Sequence, residues 1–195
     1  MAGNTRDRMV EAAVAALRAD GVAGMSFTDV LRHSGAARGA IYHHFPGGKA
    51  QLVGEAATRN AEQVRAHLST LPATTPNAVV QAFVAAVRPV VAASTTGGGC
   101  PVAAITVGSD AGTPPLRRIA ATAFTAWSDA LADRLHAAGV AAGEAADLAT
   151  LLITLLEGAH VLCRAAGDLE PFERVARATT DLVTTRYPDA APFRR

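Results

Sequence analysis

Apolar side chains return every three or four residues along most of the chain, the spacing that places them on one face of an α-helix. The first such run begins after Thr5, a residue suited to cap a helix, and ends at Asp20-Gly21. Its apolar positions are Met9, Val10, Ala13, Val14 and Leu17. The pattern therefore predicts a first amphipathic helix between these two signals.

Two short helices and one long helix are predicted next. Ser26 can cap a helix that ends at Ser34-Gly35. A second short helix is predicted from residue 37 to residue 43 or 44, before Pro46 breaks the chain. The apolar positions that follow predict a long helix over residues 49–71.

The second half of the chain shows further helix signals. Thr75 and Thr113 are each followed by proline, a pair of residues typical of a helix start. A short helix is predicted over 101–107. Residues 143–166 are apolar on nearly every side, so we expect this helix to be buried on all sides. Asp168 is predicted to cap a last helix, whose apolar stripe comprises Phe172, Val175, Ala176, Thr179, Leu182 and Val183.

The composition favours an all-α chain. Half of the 195 residues are apolar and 45 are Ala, whereas only four are Ile. Ala favours helices, and this apolar content is enough to bury a core, which excludes wholesale disorder.

Charge and cysteine content limit the partners. The net charge of +1 provides no global attraction to nucleic acid, so any such site must be a local patch. Cys100 and Cys163 form no CxxC motif and are expected to be reduced thiols. The N-terminus is charged, and the longest apolar stretch, residues 148–156, is shorter than the ~20 residues of a membrane span. We expect a cytoplasmic protein without membrane association.

Catalytic and metal motifs are not supported. Residues 108–112 lack the Gly-x-Ser-x-Gly order, and the glycines at 97–99 lie in no βαβ unit. Residues 48–50 lack the upstream glycine and the hydroxyl of a phosphate loop. The adjacent His43-His44 pair cannot converge on one ion. We therefore predict that the chain is not an enzyme and holds no metal or cofactor.

A glycine between two short helices is typical of a helix-turn-helix, and Gly35 occupies that position. The second short helix has few apolar positions, so its outer face is free to enter a major groove. Arginine reads guanine edges there, and tyrosine contacts phosphate or a thymine methyl group. The polar residues of this helix are Arg38, Gly39, Tyr42, His43 and His44. The alternative for Arg38 is an ordinary solvated surface residue.

A longer string extends this pattern: Thr5, Arg6, Ala12, Ala13, Gly21, residues 26–30, Gly35, residues 38–45, Lys49 and Leu52. Over residues 3–63 this string resembles the DNA-binding domain of the TetR family of bacterial regulators. The resemblance implies a helix-turn-helix over residues 26–45 and a recognition helix over residues 37–43. It also implies phosphate contacts from Thr28, Tyr42 and Lys49, with Arg38 and His43 nearest the bases.

Two features depart from the common family pattern. Ala37 stands where the family often has a capping Ser or Thr, and such a cap stabilises a helix end by about 1 kcal/mol. The run 45–49 is one residue longer than usual, a form that resembles the LmrA/YxaF-like branch. Residues 99–104, Trp127 and residues 157–159 also resemble that branch.

The apolar helix over residues 143–166 needs partners on two sides. The pattern alone allows it to fill the chain's own core, whereas the resemblance implies a homodimer in which it pairs with its copy. The predicted interface residues are Leu148, Leu151, Leu155, Ala159, Leu162, Phe172, Val175, Thr179 and Leu182.

Polar and aromatic residues within the apolar second half, with aliphatic residues on the same helices, are candidates for binding a small molecule, with a core or interface role as the alternative for each. The predicted set is Phe83, Val87, Cys100, Phe124, Trp127, Leu131, Leu152, Leu156, Glu157 and His160. Mostly apolar walls suit an apolar or aromatic effector.

These features together predict a homodimeric transcriptional repressor of the TetR type. The resemblance implies a DNA-binding domain over residues 3–63 and a helical ligand-binding and dimerisation domain over residues 75–187. Its partner would be a double-stranded, pseudo-palindromic operator, because residues 1–54 carry six cations and four anions, too few for one copy to bind DNA tightly. Binding of an apolar small molecule would release the repressor from this operator. The alternative is a helical small-molecule-binding protein or enzyme with a vestigial helix-turn-helix.

Overall fold

A computed structural model describes residues 4–107 and 114–188, and every regular element in these ranges is helical. The all-α prediction is confirmed. The predicted cap at Thr113 and the segment 108–112 lie outside the described residues. The elements are α1 (Thr5–Gly24), α2 (Phe27–Ser34), α3 (Ala40–His44), α4 (Gly48–Ser69), α5 (Pro76–Ala92), a 3-10 turn (Ala93–Thr96), α6 (Pro101–Val107), α7 (Pro114–Ala137), α8 (Ala142–Ala166) and α9 (Glu170–Arg186).

The described residues form two compact units. The first unit comprises residues 4–65, 97–107 and 114–125, and the second unit comprises residues 66–96 and 126–188. Helix α6 belongs to the first unit because it packs against α1. This grouping places a segment of the predicted C-terminal domain with the N-terminal helices.

The apolar face of α1 is buried in the first unit as its spacing predicts, but both ends of the helix differ. The side chain of Asn4 accepts a hydrogen bond from the Asp7 N–H at 3.0 Å, so Asn4 rather than Thr5 is the N-cap. Gly21 interrupts the helix with a φ of 66°, which glycine adopts without strain, and the helix then continues to Gly24. The buried residues of its predicted face are Met9, Val10, Ala13, Val14 and Leu17.

Ion pairs connect α1 to α4 within the first unit. Arg6 lies 2.5 Å from Glu55, and Arg59 lies 3.1 Å from Asp7 and 3.0 Å from Glu11. The hydrogen bond from Arg59 to Asp7, together with the charge of Glu11, raises the pKa of the Arg59 guanidinium above its ordinary value. We call these three ion pairs, Arg6–Glu55, Arg59–Asp7 and Arg59–Glu11, the ionic clasp. Exposed ion pairs contribute only about 0–1 kcal/mol each, so the ionic clasp mainly fixes how α1 and α4 face each other.

Two helices of the second unit begin differently from each other. Thr75 caps α5 as predicted, since its hydroxyl accepts from the Ala78 N–H at 3.1 Å. Helix α9 has Leu169 at its N-cap and no side-chain cap, so the predicted cap at Asp168 is wrong. The Asp168 carboxylate instead accepts a hydrogen bond at 2.9 Å from the backbone N–H of Glu170, the first residue of α9.

Helices α5, α8 and α9 pack together to form the core of the second unit. Helix α8 buries one side there, but Leu151, Val161 and Leu162 are 39%, 68% and 53% exposed. The prediction that this helix is buried on all sides is therefore wrong for the single chain. The core side chains include Val79, Val80, Phe83, Trp127, Leu131, Leu135, Leu152 and Phe172.

Polar contacts fix the C-terminal end of α9 to α5 and α8. Buried Asn77 donates to the Tyr187 backbone oxygen at 3.0 Å and accepts from the Thr184 hydroxyl at 3.1 Å. Arg186 and the Tyr187 hydroxyl donate to Glu144 at 2.5 and 2.9 Å. The hydrogen bond from Arg186 and, to a smaller extent, the one from Tyr187 lower the pKa of the Glu144 carboxylate below its ordinary value. The last helix is thus held against its neighbours.

Two segments of the described residues, Pro76–Thr96 and Ala142–Ala166, are long and apolar enough to cross a membrane, with a mean hydropathy of 1.5. Core helices of water-soluble proteins pass the same test, and both segments contribute buried side chains to the second unit. Their length and composition are weak support for a membrane span. Within the described ranges, no three His, Cys, Asp or Glu residues are grouped to hold a metal ion.

Candidate functional site

Helix α2 begins at Ser26, the predicted N-cap. The Ser26 hydroxyl accepts from the Asp29 N–H at 3.1 Å and donates to the Asp29 carboxylate at 2.5 Å. This hydrogen bond and, to a smaller extent, the charges of Arg32 and His33 lower the pKa of Asp29. The ionised carboxylate stabilises the positive end of the helix dipole.

The turn after α2 contains a left-handed residue. Gly35 has a φ of 66°, and its N–H donates to the Leu31 oxygen. The guanidinium of Arg8, on α1, donates to the backbone oxygen of Ser34 at 3.0 Å. Arg8 therefore satisfies the end of α2 and fixes the turn against α1. Sequence reasoning missed this role, because the two residues lie 26 positions apart and no local pattern connects them.

The second short helix of the predicted helix-turn-helix begins later than predicted. Helix α3 spans Ala40–His44, and Arg38 and Gly39 lie in the turn before it. The predicted start at Ala37 is therefore wrong. Neither Ala37 nor Gly39 has a side chain that can cap a helix, and no side-chain cap hydrogen bond is present at Gly39.

Helix α3 is anchored by two buried side chains and presents polar ones. Ile41 and Phe45 are 2% and 0% exposed, whereas Tyr42 is 68% exposed and His43 is also exposed. The Tyr42 ring packs edge-on against Phe27 of α2, with centroids 6.2 Å apart. This contact holds the phenol in place while its hydroxyl can still reach a partner.

The start of α4 lies next in the chain. Gly48 has a φ of 67°, and its N–H donates to the Phe45 oxygen at 2.9 Å. The half-buried Lys49 that follows donates from Nζ to the Ala23 backbone oxygen at 3.5 Å. Thr28 is exposed in the first turn of α2.

All six predicted DNA-binding residues therefore lie in the first unit, on four consecutive segments. Lys49 is half-buried, and the exposed residues are Thr28, Arg38, Gly39, Tyr42 and His43. Together they offer hydroxyl, guanidinium, imidazole and ammonium donors. Such donors bind phosphate oxygens and the acceptor edges of bases.

The predicted small-molecule residues are divided between the units. Cys100 and Phe124 lie in the first unit. The second unit contains Phe83, Val87, Trp127, Leu131, Leu152, Leu156, Glu157 and His160, all buried except the half-buried Glu157. The structure thus brings eight of the ten into one apolar unit.

A buried polar pair lies among these apolar side chains. The hydroxyl of Ser94, in the 3-10 turn, lies 2.6 Å from Nδ1 of His160 on α8, and both residues are buried. Cys163 is fully buried one turn further along α8. Ser94 was missed by sequence reasoning, since a serine in an irregular segment carries no periodic signal. A buried hydroxyl–imidazole pair can hydrogen-bond the polar group of a small molecule.

The predicted interface residues differ in exposure. Ala159, Phe172 and Thr179 are buried within the second unit. Leu148, Leu155 and Val175 are half-buried. The exposed members, on α8 and α9, are Leu151, Leu162 and Leu182, and the unpredicted Val161 is exposed beside them.

Two family models match the chain. "Bacterial regulatory proteins, tetR family" matches residues 9–56, which include the whole of α2 and α3. "Transcriptional regulator LmrA/YxaF-like, C-terminal domain" matches residues 76–178, more than half of the 195-residue chain.

Curated relatives match nearly the full length. An uncharacterized HTH-type transcriptional regulator of Mycobacterium tuberculosis is 36% identical over 191 residues, covering 94% of this chain and 96% of the relative. The HTH-type transcriptional regulator LmrA of Bacillus subtilis is 26% identical, covering 93% of this chain and 97% of its own.

Solved structures share the fold. A TetR transcriptional regulator from Chloroflexus aurantiacus has a TM-score of 0.77 and 27% identity, covering 94% of this chain and 96% of that one. A TetR transcriptional regulator from Legionella pneumophila has a TM-score of 0.80 at 21% identity, covering 93% and 98%.

Proposed function

The chain belongs to the TetR family of bacterial transcriptional regulators, in its LmrA/YxaF-like branch, and from this premise we propose that it is a dimeric repressor released from its operator by an apolar small molecule. The matched family model, the curated relative LmrA and the solved structure from Chloroflexus aurantiacus are all described as transcriptional regulators. The observation that carries the proposal is α3, a short helix with Ile41 and Phe45 buried beneath exposed Tyr42 and His43.

In this proposal α3 of each copy enters a major groove. Tyr42, Lys49 and Thr28 bind phosphates and set the register, while Arg38 and His43 read base edges. The excess of two positive charges over residues 1–54 provides only weak attraction for one copy. Two copies on a pseudo-palindrome supply the remaining affinity.

The dimer is proposed to form through α8 and α9. Leu151, Leu162 and Leu182 are large apolar side chains that the single chain leaves exposed. Two copies of this surface, related by a two-fold axis, would bury these side chains in a four-helix interface. Burial of apolar area stabilises such an interface by roughly 25 cal/mol per Å² before the cost of association.

The effector is proposed to bind in the second unit. Its apolar side chains favour an aromatic or aliphatic molecule, and the Ser94–His160 pair offers one polar contact. A ligand that binds better to the conformation that does not fit DNA shifts the dimer away from the operator. TetR regulators are typically cytoplasmic, and we propose the same location for this one.

The experiment that tests the DNA-binding proposal starts from sheared genomic DNA. The purified protein is immobilised on a support through an affinity tag and incubated with the fragments. The fragments that it retains are then eluted and sequenced. We expect one or a few fragments that share an inverted repeat, which a gel shift then confirms. Retention of all fragments equally, or of none, would contradict the repressor proposal.

A ligand-binding prediction follows from Trp127, the one tryptophan of the sequence, which is 1% exposed in the second unit. A compound that releases the operator should change Trp127 emission over the same concentration range. We expect a 5- to 150-fold loss of operator affinity at saturation, corresponding to about 1–3 kcal/mol of coupling. Fluorescence and gel-shift titrations measure the two effects.

Linkage sets the control for this prediction. The operator must lower the affinity for the compound by the same factor as the compound lowers the affinity for the operator. Trp127→Phe should fold and bind operator like the wild type, while its affinity for the compound changes. A compound that alters Trp127 emission without changing operator affinity would argue against an effector site there.

A further inference from the structure

A groove of about 520 Å³ lies within the first unit, between α1, α4 and the first turns of α7. This volume is in the range of sites that bind small molecules. Exposed Pro115 and half-buried Ile119 give it an apolar surface, Val10 and Leu116 lie buried beneath that surface, and charged side chains of α1 and α4 surround it. None of the residues assigned above to DNA, effector or dimer contacts lines this groove.

The apolar end of the groove lies at a close approach of two helices. Gly54 of α4 is buried, and a Cβ atom there would lie 3.2 Å from Cδ1 of Ile119 and 3.9 Å from Cδ2 of Leu116 on α7. The missing side chain lets α4 and α7 approach closely at this point. Apolar Pro115 and Ile119 line the groove beside this contact, which suits an aromatic or aliphatic group.

The charged side chains around the groove differ in whether they already form ion pairs. Arg6 is paired with Glu55, and Arg59 is paired with two carboxylates of α1, as described for the ionic clasp. Glu62 also lines the groove and is exposed, and no other side chain in the described ranges forms an ion pair or hydrogen bond with it. An anion would have to displace a carboxylate of the clasp, whereas a cation can pair with Glu62 directly.

We propose that this groove is a second small-molecule site, selective for apolar cations such as aromatic quaternary ammonium or phosphonium compounds. The apolar groups contact Pro115 and Ile119, and the positive charge lies near Glu62. This site is separate from the effector site proposed in the second unit. It does not rest on the repressor proposal, because a cation can bind here whether or not the chain binds an operator.

Tetraphenylphosphonium and tetraphenylborate test the charge selectivity, since they have almost the same shape and opposite charge. Isothermal titration calorimetry on the full chain measures both. We expect tetraphenylphosphonium to bind once per chain, and at least about fivefold more tightly than tetraphenylborate. Equal affinities for the two ions would overturn the proposal.

Two variants locate the binding site. Glu62→Gln removes the exposed carboxylate and should weaken tetraphenylphosphonium binding about three- to fivefold, as expected for a solvent-exposed ion pair. Thr58→Trp fills the groove from an exposed position on α4 and should weaken binding by more than about tenfold.

The control for these variants is Asp181→Asn, which removes an exposed carboxylate on α9 in the second unit. It should leave tetraphenylphosphonium affinity unchanged, and thermal melts establish that all three variants fold. Affinity that is unchanged in both Glu62→Gln and Thr58→Trp would place the cation elsewhere and overturn the proposal.

Discussion

Leu162→Glu should convert the proposed dimer into folded monomers. Leu162 is 53% exposed on α8 in the single chain, so a carboxylate at this position is solvated in the monomer and does not harm its fold. In the proposed dimer the same carboxylate would be buried without a partner, which costs about 3 kcal/mol or more.

The two-fold axis doubles this effect, because each copy brings its own carboxylate to the interface. About 6 kcal/mol corresponds to a rise in the dimer dissociation constant of about 10⁴-fold. Sedimentation velocity measures the change directly. Operator binding should be lost with the dimer, since each monomer then holds a single half-site.

The matched control is Val90→Glu, which places the same charge at a position of the second unit that is 46% exposed and lies on α5, outside the proposed interface. This variant should remain a dimer and bind operator like the wild type. If Leu162→Glu also stays dimeric, the side chain of Leu162 lies outside the interface and the assignment of α8 is wrong.

The order and type of the helices could be predicted because each depends on local signals. Ser26 and Thr75 cap helices where their sequence context predicts. The spacing of Met9 to Leu17 correctly identified the buried face of α1. These features need only neighbours within one or two helical turns, which a sequence displays directly.

The errors at helix ends arose where two residues compete for one role. Asn4 and Thr5 can each cap a helix, and the structure assigns the cap to Asn4. Gly21 can end a helix or interrupt it, and which of these occurs depends on packing beyond the local sequence. The late start of α3 follows from a weak signal, since Gly39 offers the backbone no side-chain partner.

The candidate sites were predictable to different degrees. Tyr42 and His43 are exposed while Ile41 is buried, as the low amphipathicity of that helix and the family resemblance implied. The contacts of Arg8 with Ser34 and of Ser94 with His160 were not predictable, because they join residues 26 and 66 positions apart. Only the folded chain brings such partners together.

Arg38→Ala should relax the choice of base at one position of each half-site. Arg38 is exposed in the turn immediately before α3, and a guanidinium there can donate two hydrogen bonds to a guanine. Losing such a bidentate contact costs about 1–3 kcal/mol of discrimination, or roughly 5- to 150-fold. Binding titrations against operators with single base changes measure the loss.

Lys49→Met provides the contrast, because Lys49 is assigned to a phosphate. It should weaken binding to operator and random duplex alike and reduce the slope of log affinity against log salt by roughly 0.9. Arg18→Ala, an exposed arginine on α1 outside the predicted DNA-binding set, should change neither property. If Arg38→Ala instead lowers affinity equally for every sequence and reduces the salt slope, Arg38 contacts the backbone, and base reading must come from another residue such as His43.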